Sequence, residues 1–108
     1  VTYQLPNTFK EFASGQTSIM GRTDSSNATV EYQIYRNDSA TGLSACGSPI
    51  SVSTGSQSAW QIGVASGAAD PSTCGFTAGN SIVFKINMTA SQNANVYIGN
   101  LNFIFSNR

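Results

Sequence analysis

Two stretches alternate strictly between apolar and polar residues, and they constrain the fold most. In "ATVEYQIYRND" Val30, Tyr32 and Ile34 fall on one side, with Glu31, Gln33 and Tyr35 on the other. In "NSIVFKINMT" Ile82, Phe84, Ile86 and Met88 share a side, opposite Ser81, Val83, Lys85 and Asn87. A period of two belongs to a half-buried β-strand. The same period gives strands in "SPISVST", with Ile50 and Val52 inward, and in "SAWQIGVA". There Trp60, Ile62 and Val64 share a face, expected to lie in the core, with a sugar platform as the other reading of Trp60. "VTYQL" and "TSIMGR" are weaker strand candidates. Helical periodicity is nearly absent. Its one candidate is "NTFKEFASG", residues 7 to 15, read as a loop or a single helical turn because Phe9 and Phe12 stand three apart.

About seven short strands separated by Gly, Pro, Asn and Ser predict an all-β chain. The expected architecture is a single antiparallel β-sandwich, jelly-roll or Greek-key like, forming one domain over residues 1–108. The length allows one core and not two.

In "ANVYIGNLNFIF" the alternation slips between Ile98 and Leu101. A two-residue hairpin turn at Gly99-Asn100 restores the apolar face, and so does a β-bulge at Gly99. The bulge is the simpler topology: "ASQN" already supplies a loop, and one kinked final strand would pair with residues 81 to 89. Phe84, Phe103 and Phe105 are expected in the core. The stretch from Gly79 to Phe105 resembles the closing strands of jelly-roll carbohydrate-binding modules, whose final strand corresponds here to "VYIGNLNF", Val96 to Phe103. Gly99 stands where those modules usually carry an acid. The resemblance implies a jelly-roll topology.

Charge is sparse and balanced, with five basic and five acidic residues. Lys10, Arg22, Arg36, Lys85 and Arg108 form no patch in sequence, so nucleic acid is not an expected partner. No apolar run approaches the ~18–20 residues of a membrane span, and membrane insertion is not expected. No signal-peptide pattern is present, so the sequence reads as a mature chain or an excised domain. Cys46 and Cys74 lie in the turn-rich contexts "SACGSP" and "PSTCGF". They are either free thiols or a disulfide, and the disulfide is expected, with an extracellular, cell-surface or virion-surface location. The Asn-X-Ser/Thr patterns at Asn27, Asn37 and Asn87 are as many as chance supplies.

There is no histidine, which removes His-based triads and His-containing zinc sites. Asp24, Asp38 and Asp70 read as turn formers whose carboxylates bond the backbone. The oxygen-rich "RTDSSNA" and "RNDSATG" lack the spaced acids that calcium needs, so no metal or cofactor is expected. The polar side of the strands gathers Gln33, Tyr35, Asn87, Asn95, Tyr97 and Asn102, with Glu31 and Lys85 nearby. Rings and amides of this kind suit sugar recognition, and they equally make an ordinary solvated β-face. The expected function is a non-catalytic structural or adhesive subunit of a pilus-like filament or viral fibre or coat, acting through sheet faces or edge strands. Its partners would be identical or related subunits, or surface glycans. The alternative is a carbohydrate-binding module of a secreted enzyme or adhesin.

Overall fold

The computed structural model describes residues 1–91 and 93–108. Among these, eight strands and two short 3₁₀ turns form. The strands are β1 (Thr2–Gln4), β2 (Phe9–Phe12), β3 (Ser18–Asp38), β4 (Gly42–Ser56), β5 (Gln61–Val64), β6 (Ser81–Thr89), β7 (Val96–Asn102) and β8 (Phe105–Asn107). The turns cover Gly67–Ala69 and Pro71–Thr73. All pairings are antiparallel, and the chain is all-β as expected.

β3 is the axis. Along one side it pairs first with β7, from Ser18↔Asn102 to Thr23↔Val96, then with β6, from Thr29↔Thr89 to Asn37↔Ser81. Along the other it pairs with β5, from Ser18↔Val64 to Gly21↔Gln61, then with β4, from Asp24↔Ser56 to Asp38↔Gly42. The centre of the molecule is therefore a long three-stranded ribbon. At ~3.3 Å per residue, 21 residues would run nearly 70 Å. The molecule is 46 Å in its longest dimension, so β3 has to bend. It bends between Asp24 and Thr29, where its register with β4 is broken. The turn-forming "DSSN" sits there, and hydroxyls replace ladder bonds. Thr23 Oγ1 donates to Gly55 O (2.6 Å) and shares a hydrogen bond with Ser53 Oγ (2.8 Å).

The bend brings the two halves face to face, an arrangement compatible with the expected sandwich. Val30, Tyr32, Ile34, Ile82 and Phe84 of the larger half and Ile19 of the smaller one are buried in one cluster. Tyr32 spans the layers, its hydroxyl donating to Gly63 O at 2.8 Å. The rest of the larger half is covered by the β2–β8 pair and an aromatic cluster. Phe12 meets Phe9 and Phe76 at 5.1 Å each, and Phe84 stacks on Phe103 at 5.7 Å. Phe84 is a core residue, as expected, and Phe103 and Phe105 are partly buried and pack against the core.

Cys46 and Cys74 are bridged, with Cα atoms 5.6 Å apart. The bridge pins residues 67–74 to β4 and fits an oxidising, extracellular setting. The approach is close. Gly47 has φ +68°, and a Cβ there would stand 2.6 Å from the Ala69 backbone.

Three expectations about the strands are corrected here. Residues 9 to 12 form a strand, not a helical turn; a register shift between Phe9 and Glu11 buries both Phe9 and Phe12 despite their spacing of three. "TSIMGR" and "ATVEYQIYRND" are not separate strands but the two arms of β3. Gly99 does lie in a bulge, since Ile19↔Leu101 and Gly21↔Ile98 set two steps on β3 against three on β7. However, β7 pairs with β3 rather than with residues 81 to 89, and Phe105–Asn107 leaves it to pair with β2. Of the expected "ASQN" loop, Gln92 lies outside the described residues.

Candidate interaction face

The fourth correction concerns β5 and yields the most unusual surface. Trp60, Ile62 and Val64 share a side, as their parity requires, but that side faces outward, with exposures of 47%, 59% and 46%. The reason lies in the inward positions. Gly63 is opposite Ile19, and a Cβ on it would stand 2.7 Å from Ser51 O and 2.9 Å from Val52 Cγ2. Only Gly63 and the wholly buried Ala65 fit against β4 at this separation. The small residues take the core side of β5, and the large ones face outward. In sequence the alternation of small Gly63 and Ala65 with large Ile62 and Val64 was the available signal.

The face continues across β3 and β7. Met20 lies opposite Ile62, and Ser18 lies between Val64 and Asn102. Trp60 meets Tyr97 edge to face, ring centroids 6.3 Å apart. The bulge at Gly99 makes room for this. A Cβ there would come within 3.3 Å of both Trp60 Cζ3 and Met20 Sδ. The Arg22 guanidinium lies 4.7 Å from the Tyr97 ring centroid and donates to Gln57 O at 3.3 Å. It occupies one side of the ring through a cation–π contact. Asp24 closes the row, accepting from Asn95 N (2.7 Å) and Asn95 Nδ2 (3.1 Å). These bonds, the backbone one first, hold the Asp24 carboxyl below its usual range, with Arg22 adding to the effect.

The six residues expected on one polar face do not form one surface. Tyr97 and Asn102 lie on β7, with Asn95 just before it, in the smaller half. Tyr35 and Asn87 lie on the outer side of the larger half, opposite Val83 and Glu31 respectively. The core separates the two groups. Gln33 shares the parity of Tyr35 but is only 7% exposed. Its amide donates to Gly47 O (2.8 Å) and Cys46 O (3.3 Å), carbonyls that the irregular register of β4 leaves beside it. Gln33 is thus a structural residue and not part of an exposed face.

Asp38 and Asp70 behave as turn formers, whereas Asp24, expected to be one, lies within β3 and bonds across to Asn95. Asp38 Oδ1 accepts from Ala40 N at 2.8 Å. Asp70 caps the second 3₁₀ turn, with Oδ1 accepting from Ser72 N (3.0 Å) and Oδ2 from Gly15 N (2.8 Å). Burial alone would raise the Asp70 carboxyl, but the N–H donors of Ser72 and Gly15 outweigh it and lower it. A cleft of about 490 Å³ beside β2 and β8 is lined by Glu11, Ser14 and Ile104 among others, and Glu11 is its one ionisable side chain. Among the described residues no helix is long and apolar enough to cross a membrane.

No family model matches this chain, and neither a curated protein nor a solved structure matches it.

Proposed function

We propose that the protein is a non-catalytic structural or adhesive subunit of an extracellular assembly, a filament, fibre or coat, whose contacts run through the face of β5, β3 and β7. The observation that carries this reading is the outward side of β5, where Trp60, Ile62 and Val64 are each about half exposed next to Met20 and Tyr97. Contiguous exposed apolar side chains of this size mark contact surfaces. A second copy is the partner the face fits. The centre of the face is apolar, and Arg22 and Asp24 lie next to one another on one side of that centre, so the face presents no single-sign charge to a second copy. The balanced charge of the chain puts no net repulsion in the way.

A fully buried side chain of this kind is worth ~1.5–3 kcal/mol, so covering three half-exposed ones yields about 3–4 kcal/mol. That is about a few hundredfold in Kd. Ile62→Asp removes part of this gain and places a carboxylate in the contact, so association should weaken by about 100-fold or more, measured by sedimentation equilibrium. A chain that stays monomeric up to millimolar concentration, or that associates equally well as Ile62→Asp, contradicts the reading.

The Trp60–Tyr97 pair beside Arg22, Asp24 and Asn95 supports a second reading as a carbohydrate-binding module, since rings flanked by hydrogen-bonding groups suit sugars. A glycan array tests it. The expected result is binding lost in Trp60→Ala and kept in Tyr35→Ala, which lies on the other outer face. Silence across the array contradicts it.

A further inference from the structure

The cleft beside β2 and β8 takes no part in the Trp60 face. Its volume of about 490 Å³ lies within the ~300–1,000 Å³ of small-ligand clefts. Its walls are held in place by the fold itself. Ala13 N donates to Ile104 O (2.8 Å), which ties the end of β2 to the residue before β8. The buried Asp70 carboxylate bonds Gly15 N and Ser72 N with its two oxygens, and so joins the loop after β2 to the second 3₁₀ turn. The Cys46–Cys74 bridge pins the segment that carries Asp70 and Ser72.

The lining is apolar in one part and hydrogen-bond accepting in the other. Phe12, Ile104 and Phe105 supply the apolar part, and Glu11, Ser14 and Ser106 supply the acceptors. Ser14 Oγ lies 3.4 Å from Asp70 Oδ2, and Ser106 Oγ lies 3.5 Å from Glu11 O. Both contacts are long, yet a carboxylate and a carbonyl accept and never donate. Each hydroxyl proton therefore turns inward and leaves its lone pairs to the cleft. Ser106 takes the main-chain oxygen of Glu11 and not its carboxylate, which stays open to a ligand. The charge of Asp70 stands directly behind Ser14. Among the described residues no Lys or Arg lines the cleft, and Lys10 lines a smaller groove instead.

We propose that this cleft binds a primary alkylammonium group, with Glu11 pairing the charge and Phe12, Ile104 and Phe105 receiving the alkyl chain. An ammonium has three N–H donors and no acceptor, which suits a lining of acceptors. Its bond to Glu11 is charge-assisted. An anion would meet the Glu11 and Asp70 charges unopposed. A neutral alcohol of the same length would gain the apolar lining without the charged bond. The group belongs equally to a free aliphatic amine and to a lysine side chain of another protein. The cleft shares no residue with the Trp60 face, so this binding does not rest on the assembly reading.

The test titrates isotope-labelled protein with n-pentylamine at neutral pH and follows the main-chain amides by NMR. Those of Glu11, Ser14, Ile104 and Ser106 should shift together and saturate with a Kd of ~1–10 mM. n-Pentanol should bind about 10-fold more weakly, and pentanoate should leave these amides unmoved. Glu11 is exposed, so Glu11→Gln keeps the fold and should weaken n-pentylamine about 10-fold. Glu31→Gln, on the outer side of the larger half, should leave the binding unchanged, as should Ile62→Asp. Nα-acetyl-lysine N-methylamide distinguishes the two sources. If it binds as tightly as n-pentylamine, the site stands and takes a lysine side chain. If it binds more weakly, the site stands and takes a free amine. No saturable shift with either amine overturns the proposal. So does n-pentanol binding as tightly as n-pentylamine, or n-pentylamine binding undiminished in Glu11→Gln.

Discussion

Replacing Gly63 by alanine should destabilise the protein, against the usual direction for that change in a strand. An alanine normally gains ~0.4–1 kcal/mol over glycine where the backbone permits it, because the unfolded chain loses freedom. Gly63 has no positive φ to forbid the change. Its Cβ, however, would stand 2.7 Å from Ser51 O and 3.1 Å from Val52 Cα, both belonging to the facing strand's backbone or directly attached to it. Ordinary carbon contacts lie near 3.5 Å, so the layers have to part by several tenths of an ångström, an overpacking cost of ~1–3 kcal/mol. The hydrogen bond from the Tyr32 hydroxyl to Gly63 O moves with it. The net loss should be about 1–2 kcal/mol in urea unfolding at unchanged m-value, or roughly 5–10 °C in Tm for a chain of this size. Gly99→Ala is the control. Its Cβ meets Met20 Sδ and Trp60 Cζ3 at 3.3 Å and Met20 Cβ at 3.4 Å, side chains on the open side and no facing backbone, and the change should stay within ~0.5 kcal/mol. Ile62→Ala completes the set. A core isoleucine would lose ~2–5 kcal/mol, whereas the outward Ile62 should lose under ~1 kcal/mol. A Gly63→Ala protein as stable as the native one, or a multi-kilocalorie loss in Ile62→Ala, refutes the packing argument for β5.

Removing the bridge with Cys46→Ala/Cys74→Ala should lower stability by ~3–4 kcal/mol in the chain-entropy picture, read from urea midpoints. Burial, with a smaller contribution from the Asp70 charge, pushes the Tyr32 hydroxyl up to about 12. The folded state thus holds this proton more tightly than the unfolded chain, which releases it near pH 10. Stability should be complete below pH 10 and fall between pH 10 and about 12, and Tyr32→Phe should remove that part of the fall. Asp70 behaves in the opposite sense. Its lowered carboxyl contributes stability above the unfolded value near 3.9, and this is lost as pH falls through the folded value. Asp70→Ala should cost ~1–2 kcal/mol at neutral pH and flatten the acid limb of the stability curve.

Period-two alternation showed β6 and the second arm of β3 plainly, because Ile34, Tyr32 and Phe84 bury one side of a regular ladder. It gave the parity of β5 correctly and its direction wrongly. Alternation says which residues share a side, while the separation of the layers decides which side is inward, and that is set by Val52 and Ser51 on another strand. Phe9 and Phe12 misled for a related reason: a register shift makes a spacing of three look helical. The continuity of β3 through "DSSN" was hidden because the hydroxyls of Thr23 and Ser53, distant in sequence, hold the bend. Gln33 looked like a surface amide until the irregular register of β4 set two carbonyls beside it. The bulge at Gly99 could be read locally, since either geometry had to restore the apolar side. Its role in seating Trp60 could not, because Trp60 arrives from β5.

Trp60 is the only tryptophan in the chain and lies at the centre of the proposed contact, so its fluorescence reports that contact without a label. The decisive measurement is acrylamide quenching of Trp60 across a dilution series, alongside sedimentation of the same samples. If the face is the assembly surface, emission should shift to the blue and quenching should fall as the oligomer forms, and both should reverse on dilution and be absent in Ile62→Asp. An oligomer in which Trp60 stays as red-shifted and as quenchable as in the monomer contradicts the proposal that subunits meet through this face.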